Sequence, residues 1–258
     1  MDIKVIKIGG NVVDNPALLA TFVKDFAALK GPKILVHGGG VMASTIQKAL
    51  GQNPVMIEGR RVTDADTLKV VTMVYAGWCN KNVVALLQAE GCNALGMSGA
   101  DANVIKAVKR PVNPIDYGFV GDIYPDGINC ELLMSLLEAG ITPVLCAINH
   151  DGAGHLLNTN ADTVSSSIAS ALASRADVDL IYCFEKNGVL ADKDDDASVI
   201  PVITPSAYAS LKAEGVVADG MIPKLDNSFK AIASGVRSVI IKHASNLAND
   251  IQTTLKAE

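Results

Sequence analysis

Two glycine-rich runs each follow a short apolar segment: Lys7-Ile8-Gly9-Gly10-Asn11 after residues 3–8, and His37-Gly38-Gly39-Gly40 after residues 34–36. Glycine has no Cβ, so backbone N–H groups at such turns approach an anion closely. With the Lys7 cation beside them the two turns read as a phosphate cradle. Taken singly, either turn is better explained as a tight passage from strand to helix. A third candidate is Asn158-Thr159-Asn160-Ala161-Asp162, where polar side chains at i, i+2 and i+4 converge on one helix start. Asn160 as N-cap and Asp162 in the first turn account locally for part of that pattern. A fourth, Asp219-Gly220-Met221-Ile222-Pro223-Lys224, sets a lysine at the start of a helix, where alone it reads as a surface cation.

Other chemistries lack their residues. No G-x-G-x-x-G follows a strand and no G-x-x-x-x-G-K-[ST] occurs, so a dinucleotide-binding dehydrogenase and a P-loop NTPase lose their main support. Protein-kinase signatures are missing as well. The five cysteines are scattered without a C-x-x-C pair and read as reduced, mostly buried thiols. The four histidines lack metalloprotease spacing, so no metal held by protein side chains alone is expected. With 22 basic and 27 acidic residues the net charge is -5, which argues against nucleic acid as a partner. No uncharged apolar stretch reaches the roughly 18 residues that span a bilayer. The start, Met1-Asp2-Ile3-Lys4, has no signal core, so no membrane partner and a cytoplasmic location are expected.

The elements that must position these residues follow from periodicity. The chain has 258 residues, 49% hydrophobic and 19% charged, enough for a sizeable core and unlike a disordered chain. Short Val/Ile-rich runs alternate with segments of helical period, which predicts an α/β fold with a mainly parallel sheet covered on both faces. Strands are expected at 3–8, 34–36, 93–97, 142–147, 179–184 and 238–242. Helices are expected from Pro16 to about Gly31, at 41–50, 65–90, 130–139, 161–174, 205–214 and 224–234, and at the C-terminus. Residues 104–124 read as a hairpin excursion able to overhang a substrate. A lobe boundary near 175–179 lacks a linker, so the two lobes should share one continuous sheet.

In order along the chain, Lys7-Ile8-Gly9-Gly10, His37-Gly38-Gly39-Gly40, Gly59-Arg60-Arg61-Val62-Thr63, Gly118-Phe119-Val120-Gly121-Asp122, Asn158-Thr159-Asn160-Ala161-Asp162 and Asp219-Gly220-Met221-Ile222-Pro223-Lys224 resemble the amino acid kinase family. The G-x-R-V-T and N-x-N-A-D segments resemble its acetylglutamate branch. Three stretches depart from the family pattern: Ala147-Ile148-Asn149-His150, Phe184-Glu185-Lys186-Asn187-Gly188-Val189 and Gly99-Ala100-Asp101-Ala102-Asn103.

The resemblance implies a three-layer αβα sandwich, with residues 1–176 binding the acyl amino acid and forming a dimer, and 177–258 binding the nucleotide. It implies transfer of the ATP γ-phosphoryl to the side-chain carboxylate of an N-acylated glutamate in arginine biosynthesis, through a loose anionic transition state. N-acetyl-L-glutamate is the expected acceptor. N-succinyl-L-glutamate, with Arg60, Lys81 or His150 receiving the extra carboxylate, and other family acceptors are alternatives, as is a non-catalytic binding protein on this fold. By the same matching, Lys7 and Lys224 flank the transferring phosphoryl and Asp162 holds both lysines. Gly9, Gly10, Gly39 and Gly40 meet the phosphates, Gly39 and Gly40 also bordering the acceptor. Arg61 grips the amino-acid carboxylate while Asn158 and Asn160 bond its remaining polar groups. Mg2+ is carried on the ATP phosphates. Arginine-inhibited members have an extra N-terminal helix, so a homodimer without that feedback is expected here. The 65–90 helix, with Val70, Val71, Val74, Tyr75 and Trp78, is a candidate dimer surface and equally a candidate for buried core, the usual fate of such residues.

Overall fold

The computed structural model describes residues 1–217 and 221–258, so Asp219 and Gly220 of the fourth motif lie outside the described residues. In chain order the first half comprises β1 (Asp2–Ile8), α1 (Gly10–Val13), α2 (Pro16–Ala28), β2 (Lys33–His37), α3 (Gly40–Ala49), β3 (Met56–Ile57), β4 (Arg60–Arg61), α4 (Ala65–Thr72), a π-helical segment (Met73–Cys79), α5 (Asn80–Ala89), β5 (Ala94–Met97), β6 (Val108–Lys109) and β7 (Gly121–Asp122). The second half adds α6 (Cys130–Glu138), β8 (Thr142–Cys146), β9 (Ile148–His150), β10 (Leu156–Asn158), α7 (Ala161–Leu172), β11 (Asp177–Phe184), β12 (Val202–Ile203), α8 (Pro205–Ala213), α9 (Met221–Ala233), β13 (Ser238–His243) and β14 (Thr253–Leu255).

Eight strands form one sheet in the order β12-β14-β13-β11-β1-β2-β8-β5. It is parallel from β13 to β5, and β14 runs antiparallel to β13. The central strands are mostly apolar because both faces are covered: Ile3, Val5, Ile6, Ile8, Ile34, Leu35, Val36 and Leu145 are completely buried. Helices α2 and α5 pack together on one side, and α6, α7 and α9 form the other layer. The expected three-layer αβα sandwich with one continuous sheet is therefore observed, and the pairing of β1 with β11 carries the sheet across the expected lobe boundary.

Local signals explain the helix starts. Pro16 opens α2 behind Asn15, whose side chain accepts from Leu18 N at 3.1 Å, and Leu19, Phe22, Val23 and Phe26 supply the buried stripe. The helical run Ala65–Ala89 is long and apolar enough for a membrane span by length and composition alone. In the fold its Val70, Val71, Val74, Val83 and Leu87 join the core, as does the polar Asn80, so it is a core helix.

Several expectations are corrected. The C-terminal segment is not a helix: after a short 3-10 turn at Ala244–Asn246 the chain extends as β14, because a β-favouring Thr-Thr-Leu run can pair with β13 and continue the sheet. Helix α9 starts at Met221 rather than Lys224. Within the hairpin excursion the paired strands are Val108–Lys109 and Gly121–Asp122, shorter than the two expected runs, with further single bridges from Ile105, Lys106, Gly118 and Val120 to segments outside it. Of the five residues expected on a dimer surface, Val70, Val71, Val74 and Tyr75 are buried and Trp78 alone is exposed.

Candidate active site

Strands β1 and β2 run parallel with Ile8 opposite His37, so both glycine turns leave the sheet side by side at its carboxyl edge. Gly38 N–H donates to Ile8 O at 3.2 Å and ties one turn to the other. A Cβ on Gly10 would stand 3.2 Å from Gly40 N, and one on Gly39 would come within 2.7 Å of the Tyr75 ring, so this packing requires glycine at both positions. Each turn opens a helix, α1 or α3, whose first amides have no intrahelical acceptor. Gly9, Gly10, Gly39 and Gly40 line one cavity with Lys7, Arg61, Asn158, Asn160 and Asp162, so nine of the ten expected site residues meet there.

Lys224, the tenth, lines an adjoining cavity, which shares Gly59, Arg60, Asn160 and Asp162 with the first. Lys7 is 7% exposed and its Nζ lies 2.7 Å from Asp162 Oδ1, a contact between charges rather than an aligned hydrogen bond. Asp162 is expected to hold both lysines, but among the described residues it pairs with Lys7 only. What gathers the two cations is Phe184, whose ring centroid lies 5.2 Å from Lys7 Nζ and 4.0 Å from Lys224 Nζ. Burial lowers the Lys224 pKa below the ordinary lysine value; Asp162 opposes this and the Lys7 charge adds to it. Asn11, on the first glycine turn, donates to Glu185 just beyond Phe184, joining the turn to the end of β11.

The other side of the cavity is built from β4 and α3. Arg61 is 7% exposed; its Nη2 donates to Gly40 O and Ser44 Oγ, each at 2.8 Å, and its Nη1 to Gln47 Oε1 at 2.5 Å. Its buried Nε has no partner. Asn158 Nδ2 donates to Thr63 Oγ1 at 3.0 Å, and Thr63 Oγ1 in turn donates to Arg61 O at 2.9 Å, fixing Asn158 against the same strand end. Asn160 Oδ1 accepts from Asp162 N at 2.7 Å and Thr163 N at 3.3 Å, so it caps α7 while its residue borders both cavities. Among the described residues no cluster of three His, Cys, Asp or Glu is placed to hold a metal ion.

Sequence reasoning passed over three contributors. Phe184 is placed by strand register, with Cys183 opposite Ile8, which no local pattern announces. Tyr75 lines the cavity against Gly39 instead of facing outward. The β3–β4 hairpin turns on Glu58 and Gly59 at φ 50° and 73°, and it brings Arg60 and Arg61 to the site; the positive φ at both turn positions is the signature of a tight two-residue hairpin.

Comparison with known proteins adds a family. A model of the amino acid kinase family matches residues 2–243. The acetylglutamate kinase of Cytophaga hutchinsonii is 57% identical over 244 residues, covering 94% of this chain and 92% of that protein. That of Phocaeicola vulgatus is 53% identical over 252 residues, covering 98% and 97%. Among solved structures, smu.665 from Streptococcus mutans UA159 superposes with a TM-score of 0.77 at 27% identity, covering 99% of both chains. The carbamate kinase of Giardia lamblia bound to AMP-PNP shares the fold, with a TM-score of 0.68 at 15% identity over 99% of this chain and 98% of that one. With a family match across almost its whole length, the chain belongs to the amino acid kinase family.

Proposed function

We propose that this chain transfers the γ-phosphoryl group of ATP to the side-chain carboxylate of N-acetyl-L-glutamate, in arginine biosynthesis. A carboxylate oxygen attacks the γ-phosphorus, the bond to the β-phosphate oxygen breaks, and an acyl phosphate and ADP leave; the nucleophile is already ionised and needs no base. The observation that carries this reading is the pair of adjoining cavities, bordered in common by Asn160 and Asp162, that brings two glycine turns and Arg61 beside two cations around Phe184. Such a transfer is catalysed mainly by positioning and positive charge.

In this reading Lys7 and Lys224 neutralise the transferring phosphoryl and the leaving oxygens, and Asp162 orients Lys7 across their ion pair. Amides at Gly9, Gly10, Gly39 and Gly40 receive phosphate oxygens. Arg61, Asn158 and Asn160 receive the amino-acid end of the acceptor. The nucleotide enters as its Mg2+ complex, the ion riding on the phosphates, where it neutralises charge. Residues 1–176 serve the acceptor and dimerisation, residues 177–258 the nucleotide, and the protein works as a cytoplasmic homodimer.

The test is acyl phosphate formation with ATP, trapped as the hydroxamate, with N-acetylglutamate, N-succinylglutamate and free glutamate as parallel acceptors. N-acetylglutamate is expected to turn over and free glutamate not. In Lys7→Ala, kcat is expected to fall by about 100-fold or more with the fold retained. Silence with all three acceptors, or near-normal turnover by folded Lys7→Ala, overturns the reading.

A further inference from the structure

His37 lies at the end of β2, immediately before the second glycine turn, and is completely buried. Its Nδ1 stands 2.7 Å from Gly38 O, and its Nε2 stands 3.0 Å from Asn80 Nδ2 on the core helix α5. A carbonyl oxygen only accepts, so Nδ1 carries the proton. Asn80 Nδ2 also donates to Val144 O at 2.9 Å, which fixes the amide the same way round and leaves Nε2 as the bare acceptor. Asn80 Oδ1 accepts from Lys81 Nζ at 3.1 Å, and Lys81 Nζ also donates to Gly96 O at 3.0 Å. Burial holds the ring neutral, its pKa lowered to about 4.

We infer that His37 is a positioning residue for phosphoryl transfer: its Nδ1–H, locked by Asn80, clamps the Gly38 carbonyl and thereby aims the Gly39 amide into the cleft at the start of α3. Gly38 is pinned at both ends, its N–H on Ile8 O and its C=O on His37. A trans peptide points its N–H opposite to its C=O, so fixing the Gly38 carbonyl fixes the direction of the Gly39 N–H. Glycine has the widest conformational freedom of any residue, and an unclamped run of three would sample several amide directions. Donors already oriented where charge develops need no reorganisation at the moment of reaction. The inference rests on the assignment of these amides to phosphate.

The test pairs two isosteres. In His37→Asn the amide nitrogen falls where Nδ1 stands and can donate to Gly38 O; in His37→Gln the amide falls where Nε2 stands, its oxygen accepting from Asn80 Nδ2, and nothing reaches Gly38 O. With saturating N-acetylglutamate and ATP, His37→Gln and His37→Leu are expected to lose roughly 10- to 100-fold in kcat, with the N-acetylglutamate KM changed less than 3-fold, while His37→Asn stays within about 5-fold of the parent. Equal kcat in folded His37→Leu and the parent, or Asn no better than Gln, overturns the inference. If the variants fail to fold, ring 15N shifts of the unaltered protein decide: Nδ1 protonated and Nε2 bare at neutral pH is expected, and the reverse tautomer overturns it. Amide shifts of Gly39 and Gly40 on adding an ATP analogue test the underlying assignment separately, since silence there removes the phosphate role itself.

Discussion

Lys7 and Lys224 both lie over the face of Phe184, and among the described residues Lys7 has a carboxylate within ion-pair distance and Lys224 has none. Two neighbouring cations over one ring, one of them buried, offer positive charge where an anionic phosphoryl group would lie, so the arrangement is matched to a bound polyphosphate. The lowered pKa of Lys224 gives this a measurable sign. Its function requires the charged form, so activity falls as pH rises through a pKa lying below the ordinary 10.5. The kcat/KM profile for ATP is expected to bend down on the alkaline side below that value. Lys224→Arg, whose guanidinium does not deprotonate, is expected to lose that limb at whatever rate it retains. An unchanged limb in Lys224→Arg would assign the titration to another group.

Helix α2 has no basic residue in its own last turn, and its end is capped from the neighbouring strand. Lys33 of β2, 6% exposed, donates from Nζ to Phe26 O at 2.7 Å, Ala27 O at 3.0 Å and Leu29 O at 2.7 Å. A cation at a helix C-terminus also meets the favourable end of the macrodipole. Lys33→Met, of similar length but without donors, leaves those carbonyls unpaired and is expected to cost about 3 kcal/mol by the urea midpoint, with the cleft's activity intact at 25 °C. A loss under about 1 kcal/mol would mean that water takes over the cap. This contact also marks how far the elements were legible. Strands β1, β2, β8 and β11 announce themselves because burial on both faces makes their runs predominantly Val, Ile and Leu, and α2 and α7 because Asn15 and Asn160 cap them. Of the nine residues that meet in the first cavity, the turn glycines, Lys7 and the helix-start group Asn158, Asn160 and Asp162 were legible as local motifs, while Arg61 was reached only through the family resemblance. Phe184, Tyr75 and the cap by Lys33 were not, because each is created by register or by packing between distant segments. The two-residue strands β3, β4, β6 and β7 are too short to show any period, and β14 exists through its partner β13 rather than through its own sequence.

At the scale of the whole molecule, one face remains without cover. Met73 is 59% exposed and Trp78 63%, one π-helical turn apart on the helical run that otherwise fills the core, and Leu95 on the edge strand β5 is 40% exposed. Exposed apolar side chains on one helical run, like an unpaired sheet edge, are what a second copy of the chain covers in a symmetric dimer. Trp78 is the only tryptophan, so it reports on its own burial. Light scattering is expected to show a dimer at micromolar concentration, with Trp78 fluorescence shielded from acrylamide and becoming quenchable as dilution dissociates the pair. Trp78→Glu, which sets a charge in that contact, is expected to give a folded monomer. A dimer whose Trp78 is freely quenched would move the interface to another face, and a monomer at all concentrations would remove the dimer from the proposal altogether.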